Sequence, residues 1–227
     1  MPSDLSTVAD YYKMHRGVSF VKQQFGITRV TTRSALNTVP IASSIYYKNH
    51  PHQGFHQSVA KMSNFDKFNG NTADKPPKNE MVYLPGVMSP NRKFGVFRKV
   101  LHTGLYSQFV AMEVPVNGEI GDEIHTVDQT LIFTHGKGKA IVAGKEQEIK
   151  EGDVVIVPAG TQHQFLNIGN VPLEVVTVYA PAEHYPSTMH KTKAEGDAQE
   201  ERGEDEAPEW SQRSKAENEK LGLVKGE

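Results

Sequence analysis

The pattern of apolar and polar positions changes twice along the chain. Residues 6–25 carry a broken helical stripe, and residues 37–91 are rich in Pro, Asn, Ser and Gly without a sustained period. From Phe94 onwards, short β-branched and aromatic runs alternate with Gly-rich turns, which predicts consecutive strands. The last residues are dominated by Glu, Lys, Asp, Ala and Gly, which bury little apolar surface. We therefore expect three parts: an N-terminal extension (1–91), a barrel (92–186) and a charged tail (187–227).

The middle part determines the fold class that the sequence predicts. Seven strand-like runs are separated by turns, at residues 95–102, 105–114, 129–134, 140–143, 154–157, 164–168 and 173–179. Many short strands with Gly-rich turns predict an all-β sandwich or barrel. The run from Val154 to Val157 is β-branched throughout. We expect it to be buried on both sides, with Val154 and Ile156 in the central layer.

The two flanking parts give weaker signals. Residues 6–25 predict one short helix or two, and residues 211–221 a further helix after the single tryptophan, Trp210. We interpret His50, His52 and His56 as polar loop histidines, because no acidic or thiolate residue adjoins them. The extension carries enough aromatic residues to pack on a barrel, so we expect at least a homodimer or a subunit of a larger assembly.

Composition narrows the class of protein. The chain has 227 residues and no cysteine, which excludes a disulfide scaffold and cysteine-ligated zinc. We expect an intracellular protein, cytoplasmic or organellar, with a mitochondrial location open. No stretch reaches the length of a membrane span, and the first residues lack the apolar core of a secretory signal. The net charge of −2 combines a mildly basic first part with an acidic remainder, and we expect no nucleic-acid partner.

One stretch, residues 152–167, organises the rest of the chain. It reads as a strand, a tight Pro-Ala-Gly turn and a second strand that begins near a histidine. The relative positions of five residues in this stretch resemble the second motif of the cupin superfamily, without gap or insertion. These residues are Gly152, Pro158, Gly160, His163 and Asn167. This resemblance implies a double-stranded β-helix, or jelly-roll, barrel.

An upstream stretch, residues 121–136, resembles the first cupin motif with substitutions. Cupins usually have His-x-His followed four residues later by a glutamate. Here Glu123 takes the place of the first histidine, His125 is the second, and Gln129 replaces the glutamate. Further runs resemble a group of small single-domain bacterial cupins, some named after mannose-6-phosphate isomerase: Asp128-Gln129, Tyr179-Ala180-Pro181 and His190 to Lys193. The whole resemblance covers roughly residues 92–195.

The resemblance implies a divalent metal held by Glu123, His125, Gln129 and His163. Side chains two apart on a strand share a face, so Glu123 and His125 can both point into a barrel. We expect Gln129 to come from the next strand and His163 from a strand across the barrel. Two imidazoles and one carboxylate suit non-haem iron, and zinc, manganese or nickel would accept the same ligands.

Three functions remain open at this point. The first is a metal-dependent enzyme on a small polar substrate, isomerase-like by resemblance, which requires a base, and only Glu123 or Asp128 is suitably placed. The second is an iron dioxygenase, favoured by two histidines and a carboxylate. The third is a non-catalytic binding module or assembly subunit, favoured by the long extension and charged tail.

Overall fold

Two antiparallel sheets form the body of the protein. The structure is a computed structural model, and it describes residues 67–225. The larger sheet has six strands in the order β10-β1-β2-β9-β4-β7, and the smaller has four in the order β3-β8-β5-β6. The strands are β1 (Arg98–Thr103), β2 (Gln108–Val114), β3 (Glu119–Ile124), β4 (Asp128–His135), β5 (Lys137–Val142), β6 (Lys145–Lys150), β7 (Val154–Val157), β8 (Gln162–Asn167), β9 (Leu173–Ala180) and β10 (Met189–His190).

The main apolar core lies between the two sheets. Alternate residues of each strand point inwards, as the two-residue period of a strand requires. On β2 these are Val110, Met112 and Val114, and they meet Ile120 and Phe165 from the smaller sheet. All five side chains are fully buried. This arrangement of stacked sheets confirms the predicted all-β jelly-roll barrel.

A second apolar cluster covers the outer face of the larger sheet. Phe94, Leu101, Ala111 and Val176 are buried there. The segment before β1 packs over them through half-buried residues that include Phe68, Leu84, Val87 and Val96. Because of this cover, β2 and β9 are buried on both faces and their sequences lack strict alternation.

Three of the strands, β3, β6 and the two-residue β10, were not among the predicted runs. β6 is exposed at five of its six positions, and Ile149 is its single apolar residue, so hydrophobic pattern alone does not reveal the strand. It forms because Ala143 and Gly144 make a two-residue turn after β5, with φ of 48° and 73°. Positive φ at both central residues is typical of the two-residue hairpin turn whose backbone twist matches the right-handed twist of the flanking strands. The acidic residues of β3 likewise interrupt its apolar pattern, so that pattern does not predict the strand.

The expectation that Val154 and Ile156 occupy the central layer is wrong. Among residues 67–225, β7 forms an edge of the larger sheet and pairs with β4 alone. Val154 and Ile156 point outwards and are 54% and 65% exposed, whereas Val157 is buried in the core. A β-branched run fits any pleated strand, and sheet position, which the run does not encode, decides which faces are covered.

The acidic tail is ordered against the barrel. It contains helices α1 (Lys193–Glu201) and α2 (Lys215–Lys220), with a 3-10 turn at Glu209–Ser211 between them. Thr192 and Ser214 cap the helices, because each side-chain hydroxyl accepts a hydrogen bond from a backbone amide three residues later. Trp210 is buried, and its Nε1 donates to Asp74 Oδ1 at 3.0 Å.

Two further findings delimit what the fold shows. Among residues 67–225, no helix is both long and apolar enough to cross a membrane. The helix predicted for residues 6–25 and the histidines His50, His52 and His56 lie outside the described residues. The division of the chain at residues 91 and 186 stays a prediction.

Candidate metal centre

The position of Glu123 depends on a β-bulge in β3. The register between β3 and β8 shifts between Gly121 and Glu123, so that Glu123 lies opposite His163. Gly121 has a φ of 81°, and a Cβ added there would lie 2.7 Å from His163 O, so a side chain is excluded. Bulges of this kind re-aim a neighbouring side chain. We expected His163 across the barrel from Glu123, and this was wrong, because β8 lies beside β3 in one sheet.

Two short turns meet beside this pair of strands. His125 follows β3, and its backbone oxygen accepts a hydrogen bond from Gly160 N at 2.8 Å. Asp128 opens β4, and its Oδ1 accepts from Ala159 N at 2.9 Å. The Pro-Ala-Gly turn is therefore tied to the His125–Asp128 turn at two points. Asp128 is exposed, and its suggested role as a base stays a prediction.

Three donor atoms converge in the barrel. Glu123 Oε1 lies 3.0 Å from His125 Nε2 and 3.7 Å from His163 Nε2. Ligand atoms of all three residues lie within 4.8 Å of one another. These atoms are buried, yet none has a hydrogen-bond partner with acceptable geometry. They approach a common region without being aligned on each other, and unpaired buried polar atoms of this kind require an explanation.

The second nitrogen of each histidine faces a different acceptor. His163 Nδ1 lies 2.8 Å from Thr161 O, which accepts a hydrogen bond from it. His125 Nδ1 lies 3.1 Å from Glu183 Oε1, at ion-pair distance but without the alignment of a hydrogen bond. These contacts assign the proton of His163 to Nδ1, and they assign the proton of His125 to Nδ1 in the neutral ring that a metal on the Nε2 side requires. This leaves both Nε2 lone pairs for a ligand on the Glu123 side.

Gln129 lies on β4 and is fully buried. Its Nε2 donates to Tyr179 Oη at 2.9 Å, and this contact assigns the amide orientation. Its Oε1 is then left buried without a partner. The ring of Tyr179 lies 5.4 Å from that of His125, centre to centre, so Gln129 is hydrogen-bonded to a neighbour of the three-residue set. Its role as a fourth ligand stays a prediction.

Electrostatics keep the cluster charged. Burial by itself would raise the pKa of Glu123, but His125, His163 and the more distant Arg98 hold that pKa well below its usual range. Burial likewise lowers the pKa of His125, but Glu123 and Glu183 on its two sides outweigh burial and raise it to about 9. A metal ion would therefore find an ionised carboxylate and would displace a proton from His125.

Two residues of the site were missed by the sequence analysis. Tyr179 is fully buried, and burial raises its pKa well above the usual range, so its hydroxyl stays protonated. The alternation of β9 could have placed Tyr179 inside, because Leu173, Val175 and Tyr179 share one face. Glu183 follows β9 in an irregular segment, and no sequence pattern marks it.

A second group of ionisable residues, the Asp205 cluster, adjoins Tyr179. It consists of Arg98, His184, Thr188, Glu200 and Asp205. Ligand atoms of His184, Glu200 and Asp205 also lie within 4.8 Å of one another. Here a cation is already present, because Arg98 Nη1 pairs with Glu200 and lies 3.8 Å from Asp205 Oδ2.

Hydrogen bonds saturate the carboxylate of Asp205. Its Oδ2 accepts from His184 Nδ1 at 2.9 Å, and its Oδ1 accepts from Thr188 Oγ1 and from Tyr185 N at 3.1 Å. A metal ion would have to replace these donors as well as compete with Arg98. The Asp205 cluster is therefore a structural contact that joins the tail to the barrel.

Comparison with known proteins agrees with this architecture. Residues 110–179 match the family model described as cupin domain. The YrkC protein of Bacillus subtilis (strain 168) is 33% identical over 153 residues, which are 64% of this chain and 80% of YrkC. The L612 protein of Acanthamoeba polyphaga mimivirus is 35% identical over 114 residues, covering 48% of this chain and 71% of L612.

A solved structure shares the fold. The crystal structure of BH2720 from Bacillus halodurans aligns with a TM-score of 0.50 and 31% identity, covering 54% of this chain and 98% of BH2720. Together with the family match and the relatives, this similarity identifies the class of protein. The chain belongs to the cupin superfamily.

Proposed function

We propose that this cupin is a metal-dependent enzyme, with one divalent ion held by Glu123, His125 and His163 and with Gln129 completing the protein ligands. The observation that supports the proposal is the convergence of buried donor atoms that have no hydrogen-bond partner. Leaving such atoms unpaired costs about 1–3 kcal/mol each. A bound ion would satisfy these atoms together.

The donor set fits a divalent transition metal. Two imidazole nitrogens and one carboxylate oxygen suit iron, manganese, zinc and nickel. The Nδ1 of His163 already donates to Thr161 O, so its Nε2 presents a lone pair. An amide oxygen from Gln129 would add no charge, so the ion would keep more positive charge than with a glutamate at that place.

We propose a small polar substrate, such as a sugar with adjacent oxygens, in line with the isomerase-like resemblance. The metal, when bound, would supply Lewis-acid polarisation of a substrate carbonyl. A base must then move the substrate proton. Glu123 is the first candidate because its carboxylate is ionised inside the barrel, and Asp128 is the second because it borders the same turn.

A second candidate function is an oxygen-dependent one. Two histidines and one carboxylate form the ligand set of non-haem iron oxygenases, which keep open positions for substrate and dioxygen. Activity against a panel of small polar compounds, measured under air and under nitrogen, separates the two candidates. An isomerase-like reaction proceeds equally under both, whereas a dioxygenase reaction requires air.

Metal content tests the proposal directly. Elemental analysis of protein purified without chelators should give close to one metal per chain. The His125→Ala, His163→Ala double variant should lose the metal, while His135→Ala, which changes a half-exposed histidine at the end of β4, should keep it. Equal metal in the double variant and the wild type would place the metal elsewhere and refute the proposal.

We further propose that two copies pair through the edge formed by β7. Its outward Val154 and Ile156 are exposed, and its outer backbone edge has no partner strand among residues 67–225. Exposed apolar edge strands favour association with another strand. Light scattering on Ile156→Lys should show a mass half that of the wild type. An unchanged mass would refute this interface.

A further inference from the structure

We propose that Glu183 is a positioning residue for His125 and that the C-terminal tail holds Glu183 in place. The proposal rests on the proposed function, because His125 is one of the ligands assigned there. It adds a residue that no motif contains and gives the tail a role at the metal centre.

The first argument is the contrast between the two histidines. A metal-binding histidine needs an acceptor for its second ring nitrogen, which fixes both the tautomer and the ring orientation. His163 has a backbone carbonyl, Thr161 O, within its own strand region. In the described part of the chain, the acceptor that faces Nδ1 of His125 is Glu183, whose Oε1 lies 3.1 Å away. With a metal on the Nε2 side, where Glu123 Oε1 lies 3.0 Å from the ring, the charge of Glu183 would hold the remaining proton on Nδ1.

The second argument is that the backbone around Glu183 is held by side chains rather than by a strand. On the barrel side, the holder is the fully buried Gln108 of β2. Its Oε1 accepts from Glu183 N at 3.3 Å and from His184 N at 3.0 Å. Its Nε2 donates to His184 O at 2.7 Å. One amide side chain therefore binds three backbone groups of this segment.

The third argument is that the remaining holders come from the tail. Gln212 Nε2 donates to Ala182 O at 2.8 Å, just before Glu183. Asp205 accepts from Tyr185 N at 3.1 Å and from His184 Nδ1 at 2.9 Å, just after it. The tail thus binds the segment on both sides of Glu183, at Ala182 before it and at His184 and Tyr185 after it.

These contacts form a continuous path from the tail to a metal ligand. Gln212 and Asp205 fix the backbone at residues 182–185, which fixes the carboxylate of Glu183 against His125. A tail of this acidic composition would remain unfolded by itself. Its order against the barrel is therefore coupled to the geometry of the metal centre.

Cobalt(II) binding to the full-length protein tests the role of Glu183. Cobalt is titrated into metal-free protein against a competing chelator, and the visible absorption spectrum reports ligand geometry. Loss of an outer partner of a ligating histidine lowers metal affinity about 10–100-fold, so we expect this loss in Glu183→Ala with one cobalt still bound. Glu183→Gln keeps an acceptor without charge and should fall between this variant and the wild type.

A matched control removes a carboxylate elsewhere on the barrel. Glu148→Gln changes an exposed residue of β6 and should leave the affinity and spectrum unchanged. Thermal melting of the metal-free proteins checks that each variant folds. A change confined to cobalt affinity and spectrum separates positioning from a general loss of structure.

A double-mutant cycle tests the contribution of the tail. Gln212→Ala should weaken cobalt binding in the wild-type background by a smaller factor than Glu183→Ala does. In the Glu183→Ala background it should have no further effect, because the path to His125 is already broken. Equal effects in both backgrounds would show that Gln212 does not act through Glu183 and would overturn that part of the proposal.

The outcomes distinguish this inference from the metal proposal itself. Unchanged affinity in Glu183→Ala, with cobalt bound by the wild type, would refute the positioning role alone. Complete loss of binding, as expected for His163→Ala, would make Glu183 a direct ligand and would also refute positioning. A wild-type chain that binds no cobalt would refute the metal centre, and the inference with it.

Discussion

The candidate metal centre and the Asp205 cluster are built from the same kinds of residue but differ in how their carboxylates are satisfied. Each brings histidine and carboxylate groups within 4.8 Å of one another. In the Asp205 cluster, Arg98 and several hydrogen-bond donors occupy the carboxylate. In the metal centre, Glu123 Oε1 and the two Nε2 atoms have no aligned partner. Residue type alone therefore does not identify a metal site.

The two regions also differ in charge. In the metal centre, burial lowers the pKa of His125, but flanking carboxylates overcome it and raise the pKa to about 9. In the Asp205 cluster, burial and Arg98 lower the pKa of His184 in spite of Asp205. The cation of the second region is a permanent arginine, so its histidine stays neutral. The first region lacks such a cation and is available to an exchangeable one.

The largest loss of stability is expected from Arg98→Met. This change leaves Asp205 buried without its cation, and breaking a buried ion pair from one side costs about 3–5 kcal/mol. Urea unfolding followed by circular dichroism measures the free energy of unfolding. Arg202→Met, which removes an exposed pair with Glu204, should leave the midpoint unchanged. A stable Arg98→Met protein that took up a second equivalent of metal would erase the distinction between the two regions.

An intermediate loss of stability is expected when pH is lowered. The unfolded His184 takes up a proton near pH 6.5, and the folded one only at lower pH because of burial and Arg98. Its contribution to stability is therefore complete above about pH 6.5 and is lost as pH falls through the folded pKa. Asp205, Glu183 and Tyr179 are the other ionisable groups near the ring.

The measurement is the urea midpoint of metal-free protein between about pH 7 and about pH 5. We expect the wild type to lose more stability over this range than His184→Gln, which has no imidazole to protonate. Comparing slopes removes any constant cost of the substitution. Parallel slopes, or a steeper loss in the variant, would contradict the assignment of a neutral His184 to the Asp205 cluster.

The smallest effect on the free energy of unfolding is expected from a substitution of an exposed side chain outside both regions. Val154→Ala, made in the Ile156→Lys background so that pairing through β7 does not cover it, removes methyl groups from the outer face of an edge strand and should change the free energy of unfolding by less than about 1 kcal/mol. Leu131→Ala on the adjacent β4 empties a fully buried position and should cost about 2–5 kcal/mol. Chemical denaturation of both variants gives free energies of unfolding with which the variants of the two regions can be compared. Similar costs would contradict the assignment of β7 as an edge strand.

The sequence by itself determined the fold class, and it named the three residues whose ligand atoms the structure brings together, Glu123, His125 and His163. Short strands with Gly-rich turns predicted the barrel, because strand period and turn chemistry are local properties. The spacing of His163 with its flanking Pro and Gly residues predicted a ligand position, and His163 does lie beside Glu123 and His125. Glu123 and His125 do lie together as expected, with Glu123 Oε1 3.0 Å from His125 Nε2.

Other features were decided only when distant segments came together. The exposure of Val154 and Ile156 depends on β7 being the edge of its sheet, and strand order is a property of long-range pairing. The approach of Glu123 to His163 depends on a bulge that only the paired strands reveal. The strand β6 forms through its hairpin turn although all of its residues except Ile149 are polar.

The tail shows most clearly what tertiary structure adds. Its composition predicted little burial, yet Trp210, Asp205 and Gln212 each find a partner on the barrel side of the molecule. Those partners are up to 136 residues away in sequence, so no local pattern can encode the contacts. Glu183 likewise becomes a neighbour of His125 only after the barrel closes and the tail docks. The reason is that burial and charge pairing depend on which surfaces meet, and the folded chain alone decides that.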